Sequence, residues 1–175
     1  DRAGAWLLCD EVYRGVDQEG SGTTVSVADL YDRGISVGSM SKAFSLAGLR
    51  LGWVVAEPGL LDNINIHRDY NTISVGMVDD LLSSIALEHV DRVLDRNRAL
   101  VRANNATVAD WVDATPEIEW ARPSGGTTAL LRYSAPLSSR ELCVGLVEAT
   151  GVMLTPGSAL DVEGYLRIGY ANNPN

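Results

Sequence analysis

Apolar residues in the first part of the chain come in short unbroken runs rather than in alternation. Trp6-Leu7-Leu8-Cys9 is one such run, ending in the acidic pair Asp10-Glu11. Continuous apolarity over so short a stretch predicts a strand buried on both faces. Ile35-Ser36-Val37-Gly38 predicts a second strand that runs into a Ser/Lys segment. Residues 49–56 predict a third, following the turn signal Ala47-Gly48. Between the first two lie a Gly/Ser/Thr loop at 20–24 and a short helical turn at 27–31.

The period then changes. Over 78–89, Val78, Leu81, Leu82, Ile85 and Ala86 fall on one face of a helix. A longer helix follows, with Val90, Val93, Leu94, Val101, Val108, Trp111 and Val112 at three- and four-residue spacing, and Pro116 soon after its end. Unbroken, it would extend about 35 Å, enough to connect two domains. Residues 118–121 and 128–133 predict strands flanking Pro123-Ser124-Gly125-Gly126. Ser138-Ser139-Arg140-Glu141 predicts the cap of a helix through Thr150, stopped by Gly151. Further strands are expected at 152–155 and 165–170. The fold class is therefore α/β, with a bridging helix and a small α/β unit at the end.

Composition narrows the function classes. Of 175 residues, 46% are hydrophobic and 21% charged, ordinary for a globular protein long enough to bury a core. The net charge of −9, with a pI near 4.6 and no basic cluster, argues against nucleic acid or an anionic membrane as a partner of this segment. No apolar run approaches the roughly 18 residues of a membrane-spanning helix. The chain opens on no basic-then-apolar leader, so a cytoplasmic location is expected. Cys9 and Cys143 read as small buried hydrophobes of a reducing compartment. His67 and His89 lack a second ligand at metal spacing, so no metal is expected. Asp1-Arg2-Ala3-Gly4 runs at once into a strand-like stretch, and Asn172-Asn173-Pro174-Asn175 closes directly after another. Both ends suggest an excerpt from a longer chain.

Three groups of residues could carry chemistry. Asp10 and Tyr13 sit just past a strand's C-terminal end, where open α/β sheets bind ligands. A carboxylate there can pair with a protonated ring nitrogen, and a phenol three residues on can donate to an oxygen of the same ring. The ordinary alternative for Asp10 is a turn residue. Ser39-Met40-Ser41-Lys42 again follows a strand. Its hydroxyls and backbone N–H groups suit a phosphate, and its lysine can form an imine. The alternative is a surface loop with an ordinary lysine. Arg50, eight residues on, could return to the same phosphate through paired hydrogen bonds, or form only a surface salt bridge.

Together these residues resemble the fold-type I pyridoxal phosphate enzymes, the aspartate aminotransferase superfamily. Members carry Asp-x-x-Tyr after one strand and Ser-x-Ser-Lys-x-x-x-x-x-Gly-x-Arg-x-Gly after the next. This chain has Asp10-Glu11-Val12-Tyr13, then Ser39-Met40-Ser41-Lys42, Gly48, Arg50 and Gly52. The resemblance implies Lys42 as the Schiff-base lysine, Asp10 as partner of the pyridine nitrogen and Tyr13 as donor to the phenolic oxygen. It gives Ser39, Ser41 and Arg50 the phosphate. Pro156-Gly157-Ser158 and Leu166-Arg167-Ile168-Gly169-Tyr170 are similar to the family's closing pattern, which makes Arg167 the clamp on the substrate α-carboxylate. The fold implied is the C-terminal part of such an enzyme. Residues 1–77 would be the remainder of a large mixed-sheet cofactor domain, 78–114 a helical connection, and 115–175 a small α/β domain that the chain need not complete.

The activity implied is transamination between an amino acid and a keto acid, with pyridoxal 5'-phosphate as cofactor and a homodimer as the intact assembly. The family's glycine-containing phosphate loop, ring-stacking aromatic residue and Asn-Pro-x-Asn-Pro-x-Gly asparagine are absent and would lie upstream, so this segment alone is expected to be inactive. The same residues serve elimination and decarboxylation. Arg68-Asp69-Tyr70 with Thr72, and Gly125-Gly126-Thr127-Thr128-Ala129, are similar to capreomycidine synthase, a member that eliminates and cyclises hydroxyarginine. They suggest a polar or basic amino acid of secondary metabolism as substrate. Two rivals stand beside this. Ser39-Met40-Ser41-Lys42 also fits the Ser-x-x-Lys of β-lactamases, but the companion motifs are missing. An aminotransferase-like sensor domain of a transcription regulator would keep every cofactor contact.

Overall fold

The computed structural model describes residues 3–173. Asp1, Arg2, Pro174 and Asn175, which figure in the expectations about the chain ends, lie outside the described residues. The chain divides into two compact units, Asp1–Arg98 and Ala99–Asn175.

The first unit is built on a three-stranded mixed sheet of order β1-β2-β3, with β1 at Leu7–Asp10, β2 at Gly34–Ser39 and β3 at Gly52–Val55. β1 and β2 run parallel, pairing Asp10 with Val37. β2 and β3 run antiparallel, pairing Ser39 with Gly52. The crossover from β1 to β2 carries α1 (Val27–Leu30), whose N-cap hydroxyl, Ser26, accepts from the Ala28 N–H. α2 (Pro58–Arg68) follows β3, then α3 (Met77–Glu88) and α4 (Val90–Asp113). The core gathers Val16, Met40, Ala43, Phe44 and Leu94, with Tyr13, Trp53 and Val93 packed against it. Phe44 and Trp53 meet edge to face, ring centres 5.9 Å apart.

The structure corrects four expectations. β1 is not buried on both faces: it is the edge of the sheet, with Leu7 53% and Leu8 63% exposed, and Cys9 exposed as well. The third strand is shorter than 49–56, because Ala47–Leu49 closes into a 3-10 turn and Arg50 takes a left-handed φ of 48° before extension begins. On α3 the buried positions are Ser83 and Ala86, not the Val78-Leu81-Leu82-Ile85 face, which is exposed. α3 packs against the Ala47–Leu49 turn. α2 is unanticipated, since Gly59, two Asn and two Ile make its sequence a weak helix former. Its start is carried by Pro58 at the first turn and by Glu57, which accepts from Leu60 N–H at 2.8 Å and Gly59 N–H at 3.1 Å.

The second unit takes the C-terminal part of α4 and an antiparallel sheet of order β4-β5-β7-β6. Its strands are β4 (Ile118–Trp120), β5 (Thr128–Tyr133), β6 (Thr155–Pro156) and β7 (Tyr165–Gly169). β6 thus begins where the expected 152–155 strand ends. Along β5, Ala129, Leu131 and Tyr133 point inward and Thr128, Leu130 and Arg132 outward, the alternation of a sheet covered on one face. α5 (Ser139–Thr150) has the predicted capping box between Ser138 and Glu141 and ends at Gly151, φ 75°. Cys143 is buried, and burial pushes its thiol up.

Candidate active site

The loop after β2 is held shut by backbone hydrogen bonds. Met40 N–H donates to Leu51 O at 3.0 Å, Leu46 N–H to Met40 O at 2.8 Å, and Ser45 N–H to Lys42 O at 3.0 Å. Met40 is fully buried and anchors the loop to the core, while Lys42 stands exposed between it and buried Ala43. Lys42 is the only lysine in the chain; the other thirteen Lys/Arg cations are arginine. Any imine-forming ε-amine of this segment is therefore its own.

The segment after β1 is tied to that loop. Ala43 N–H donates to Val12 O at 3.1 Å, so the residue next to Lys42 is bonded inside the Asp10–Tyr13 stretch. Asp10 accepts from Val12 N–H at 3.2 Å, a short Asx turn at the strand end. The Ser39 hydroxyl accepts from Ser41 N–H at 3.2 Å. Asp10 and Ser39, at the C-terminal ends of parallel β1 and β2, line one cleft of about 670 Å3 together with Trp53 and with Asn65 and Arg68 of α2. Arg50 sits at the closing end of the same loop, with Nη1 donating to Ala47 O at 2.9 Å. Among the described residues, no ion pair engages Asp10, Lys42 or Arg50.

Tyr13, Ser41, Lys42 and Arg50 do not line that cleft, though the Ala43–Val12 bond and the loop closure bring their segments together. Arg167 belongs to the second unit. It is exposed in the middle of β7, paired in register with Leu130 and Thr155, and its Nη2 donates to the Thr155 hydroxyl at 3.4 Å.

Two residues of the first unit support this frame without having been singled out in the sequence. Glu11 follows Asp10 in the chain: its carboxylate accepts from Val27 N–H at 2.7 Å, the Ser36 hydroxyl at 2.9 Å and the Ser26 hydroxyl at 3.1 Å. Burial pushes this carboxyl up, but those three donors and the Arg14 guanidinium outweigh it and hold it below the ordinary value. Asn97, 2% exposed, lies on the apolar stripe of α4 between Leu94 and Val101. An amide at an apolar-stripe position is the signal that could have marked it.

Capreomycidine synthase of Streptomyces vinaceus is 33% identical over 141 residues, 80% of this chain and 36% of that protein. Among solved structures, a PLP-dependent aminotransferase from Streptococcus suis superposes with a TM-score of 0.91 at 35% identity, over 97% of this chain and 45% of that one. The PLP-dependent cyclase OrfR gives 0.88 at 28% identity, over 99% and 47%. The chain spans less than half the length of each of these relatives. A family model described as aminotransferase class I and II matches residues 1–175 throughout, and the chain belongs to the class I and II aminotransferases.

Proposed function

We propose that this chain is the part of a pyridoxal-phosphate-dependent aminotransferase that carries the cofactor lysine, Lys42. The observation that carries this reading is the Ala43–Val12 hydrogen bond, which ties the residue next to Lys42 into the Asp10–Tyr13 stretch at the C-terminal ends of two parallel strands. The donor set fits the cofactor. A strand-end carboxylate, a phenol, a sole primary amine, two hydroxyls and a guanidinium match a ring nitrogen, a ring oxygen, an aldehyde and a phosphate in kind. None of Asp10, Lys42 and Arg50 is committed to an ion pair among the described residues.

When bound, pyridoxal phosphate supplies the ring that takes up electrons released at the substrate α-carbon. Asp10 holds a proton on the ring nitrogen, and Tyr13 donates to the ring oxygen. Ser39, Ser41 and Arg50 bind the phosphate. Lys42 would hold the cofactor through its ε-amine and, once the substrate amine has displaced it, could act as the general base that takes the proton from the α-carbon. Arg167 binds the substrate α-carboxylate through its planar guanidinium. Residues 1–77 belong in this reading to the large domain, 78–114 to the connection and 115–175 to the small domain, in a cytoplasmic homodimer acting on amino and keto acids.

A second reading has its own support. The similarity to capreomycidine synthase and to OrfR favours a lyase or cyclase of the same fold, acting on a polar or basic amino acid. One experiment addresses both. The full-length protein is incubated with pyridoxal phosphate, reduced with borohydride and peptide-mapped, and its products from a panel of amino acids are identified. An adduct on Lys42 with keto acid products supports the aminotransferase, and cyclic or unsaturated products from a basic amino acid support the cyclase. No adduct on Lys42 sinks both.

A further inference from the structure

Ala43 is the residue next to Lys42, and both of its peptide groups are spoken for from outside the loop. Its N–H donates to Val12 O at 3.1 Å. Its carbonyl accepts from Asn97 Nδ2 at 2.9 Å, across 54 residues of sequence. Ala43 is 1% and Asn97 2% exposed, so this bond is made away from water, where a lost partner is not replaced by solvent. Asn97 Oδ1 accepts from Arg96 Nη1 at 2.9 Å, which fixes which end of the amide faces Ala43. Leu94 one turn earlier packs in the same core as Ala43, Met40 and Phe44, so the helix that presents the amide is itself held against the loop.

We propose that Asn97 is a positioning residue for Lys42. It grips the Ala43 carbonyl while Val12 grips the Ala43 N–H, and the two together set Lys42 against the Asp10–Tyr13 segment. The proposal rests on the reading of Lys42 as the cofactor lysine. A purely structural asparagine could sit anywhere on the α4 stripe; this one bonds the carbonyl of Ala43, the residue next to the only lysine of the chain. A displacement of even about 1 Å at a reacting amine costs on the order of 100-fold in rate, so a small slackening of this peptide is readable.

The test uses the full-length enzyme with bound pyridoxal phosphate, as wild type, Asn97→Leu, which keeps volume without the amide, and Asn97→Ser, which keeps a smaller donor. The wild type is first reduced with borohydride. Failure to find the adduct on Lys42 refutes the site reading by itself, before any variant is made. Given the adduct, three things are measured: hydrogen exchange in peptides covering 40–46, the pH at which the cofactor's visible absorbance changes, and kcat and KM. Asn97→Leu is expected to speed exchange about 10-fold in that loop alone, move the absorbance transition, and lower kcat about 10- to 100-fold with KM within about twofold. Asn97→Ser should fall between the two. An unmoved absorbance transition with local exchange as in wild type overturns the proposal, as does faster exchange spread evenly over the first unit. If Asn97→Leu does not fold, Asn97→Ser decides: a moved transition at an unchanged Tm supports the proposal, and an unmoved one overturns it.

Discussion

The Ser36 hydroxyl donates to the Glu11 carboxylate at 2.9 Å, joining the middle of β2 to the residue that follows Asp10. The same carboxylate takes Val27 N–H and the Ser26 hydroxyl, so one side chain fastens both strands to the start of α1. A side-chain amide in place of this carboxylate would set its own N–H donors against the donors already there.

Glu11→Gln should therefore strand at least one part-buried donor and destabilise the folded protein by about 1–3 kcal/mol, read in urea or thermal unfolding. The wild-type carboxyl is held below its ordinary value, so its contribution is present above that value and fades as the pH falls through the lowered one. The variant should lose less stability than wild type between neutral and acid pH. Equal acid losses would show that Glu11 is not the group titrating.

Glu163 performs a similar task in the second unit. It accepts from Ser139 N–H at 2.5 Å and from the Ser139 hydroxyl at 3.0 Å, fastening the first turn of α5. Those bonds outweigh burial and lower its carboxyl, while burial and the nearby Glu163 charge raise the Tyr133 phenol. Stability from Glu163 is thus present above the ordinary carboxylate range and lost on acidification. Glu163→Gln should lower Tm at neutral pH and narrow the gap to wild type in acid, as followed by circular dichroism.

Much of this architecture is legible in the pattern of residues. The α5 cap and its Gly151 stop follow from local chemistry and are where they were expected, because a capping box specifies its own hydrogen bonds. The Asp10 and Lys42 segments are legible because their spacing is tied to strand ends. Burial is less legible. Leu7 and Leu8 read as interior residues, yet an edge strand leaves them exposed, and neighbours in a sheet are not written in a strand's own sequence. α2 is hidden because capping by Glu57, not periodicity, starts it. Asn97 is hidden because its partner, Ala43, is 54 residues away.

Gly157, in the Pro156-Gly157-Ser158 turn, owes its identity to crowding. A Cβ there would lie 2.1 Å from Val162 O and 2.5 Å from Tyr165 O, both backbone atoms that cannot swing aside. Gly157→Ala should cost about 1–3 kcal/mol and displace the start of β7. Unchanged unfolding in this variant would contradict the tight packing of that turn.

Arg167 offers the sharpest separation of binding from folding. It is exposed on β7 between Leu130 and Thr155, and its side-chain bond to the Thr155 hydroxyl is long at 3.4 Å. Its removal should therefore leave Tm nearly unchanged, since an exposed side chain with so weak a bond contributes little to stability. A role on the substrate α-carboxylate demands the opposite of activity. Lysine keeps the charge but offers no planar pair of donors, so Arg167→Lys in the full-length enzyme should raise KM for the amino acid about 10-fold or more. The same variant should treat the matching amine, which lacks the carboxylate, no worse than wild type does. A KM rise shared equally by both compounds would remove Arg167 from the carboxylate and leave it a surface residue of the sheet.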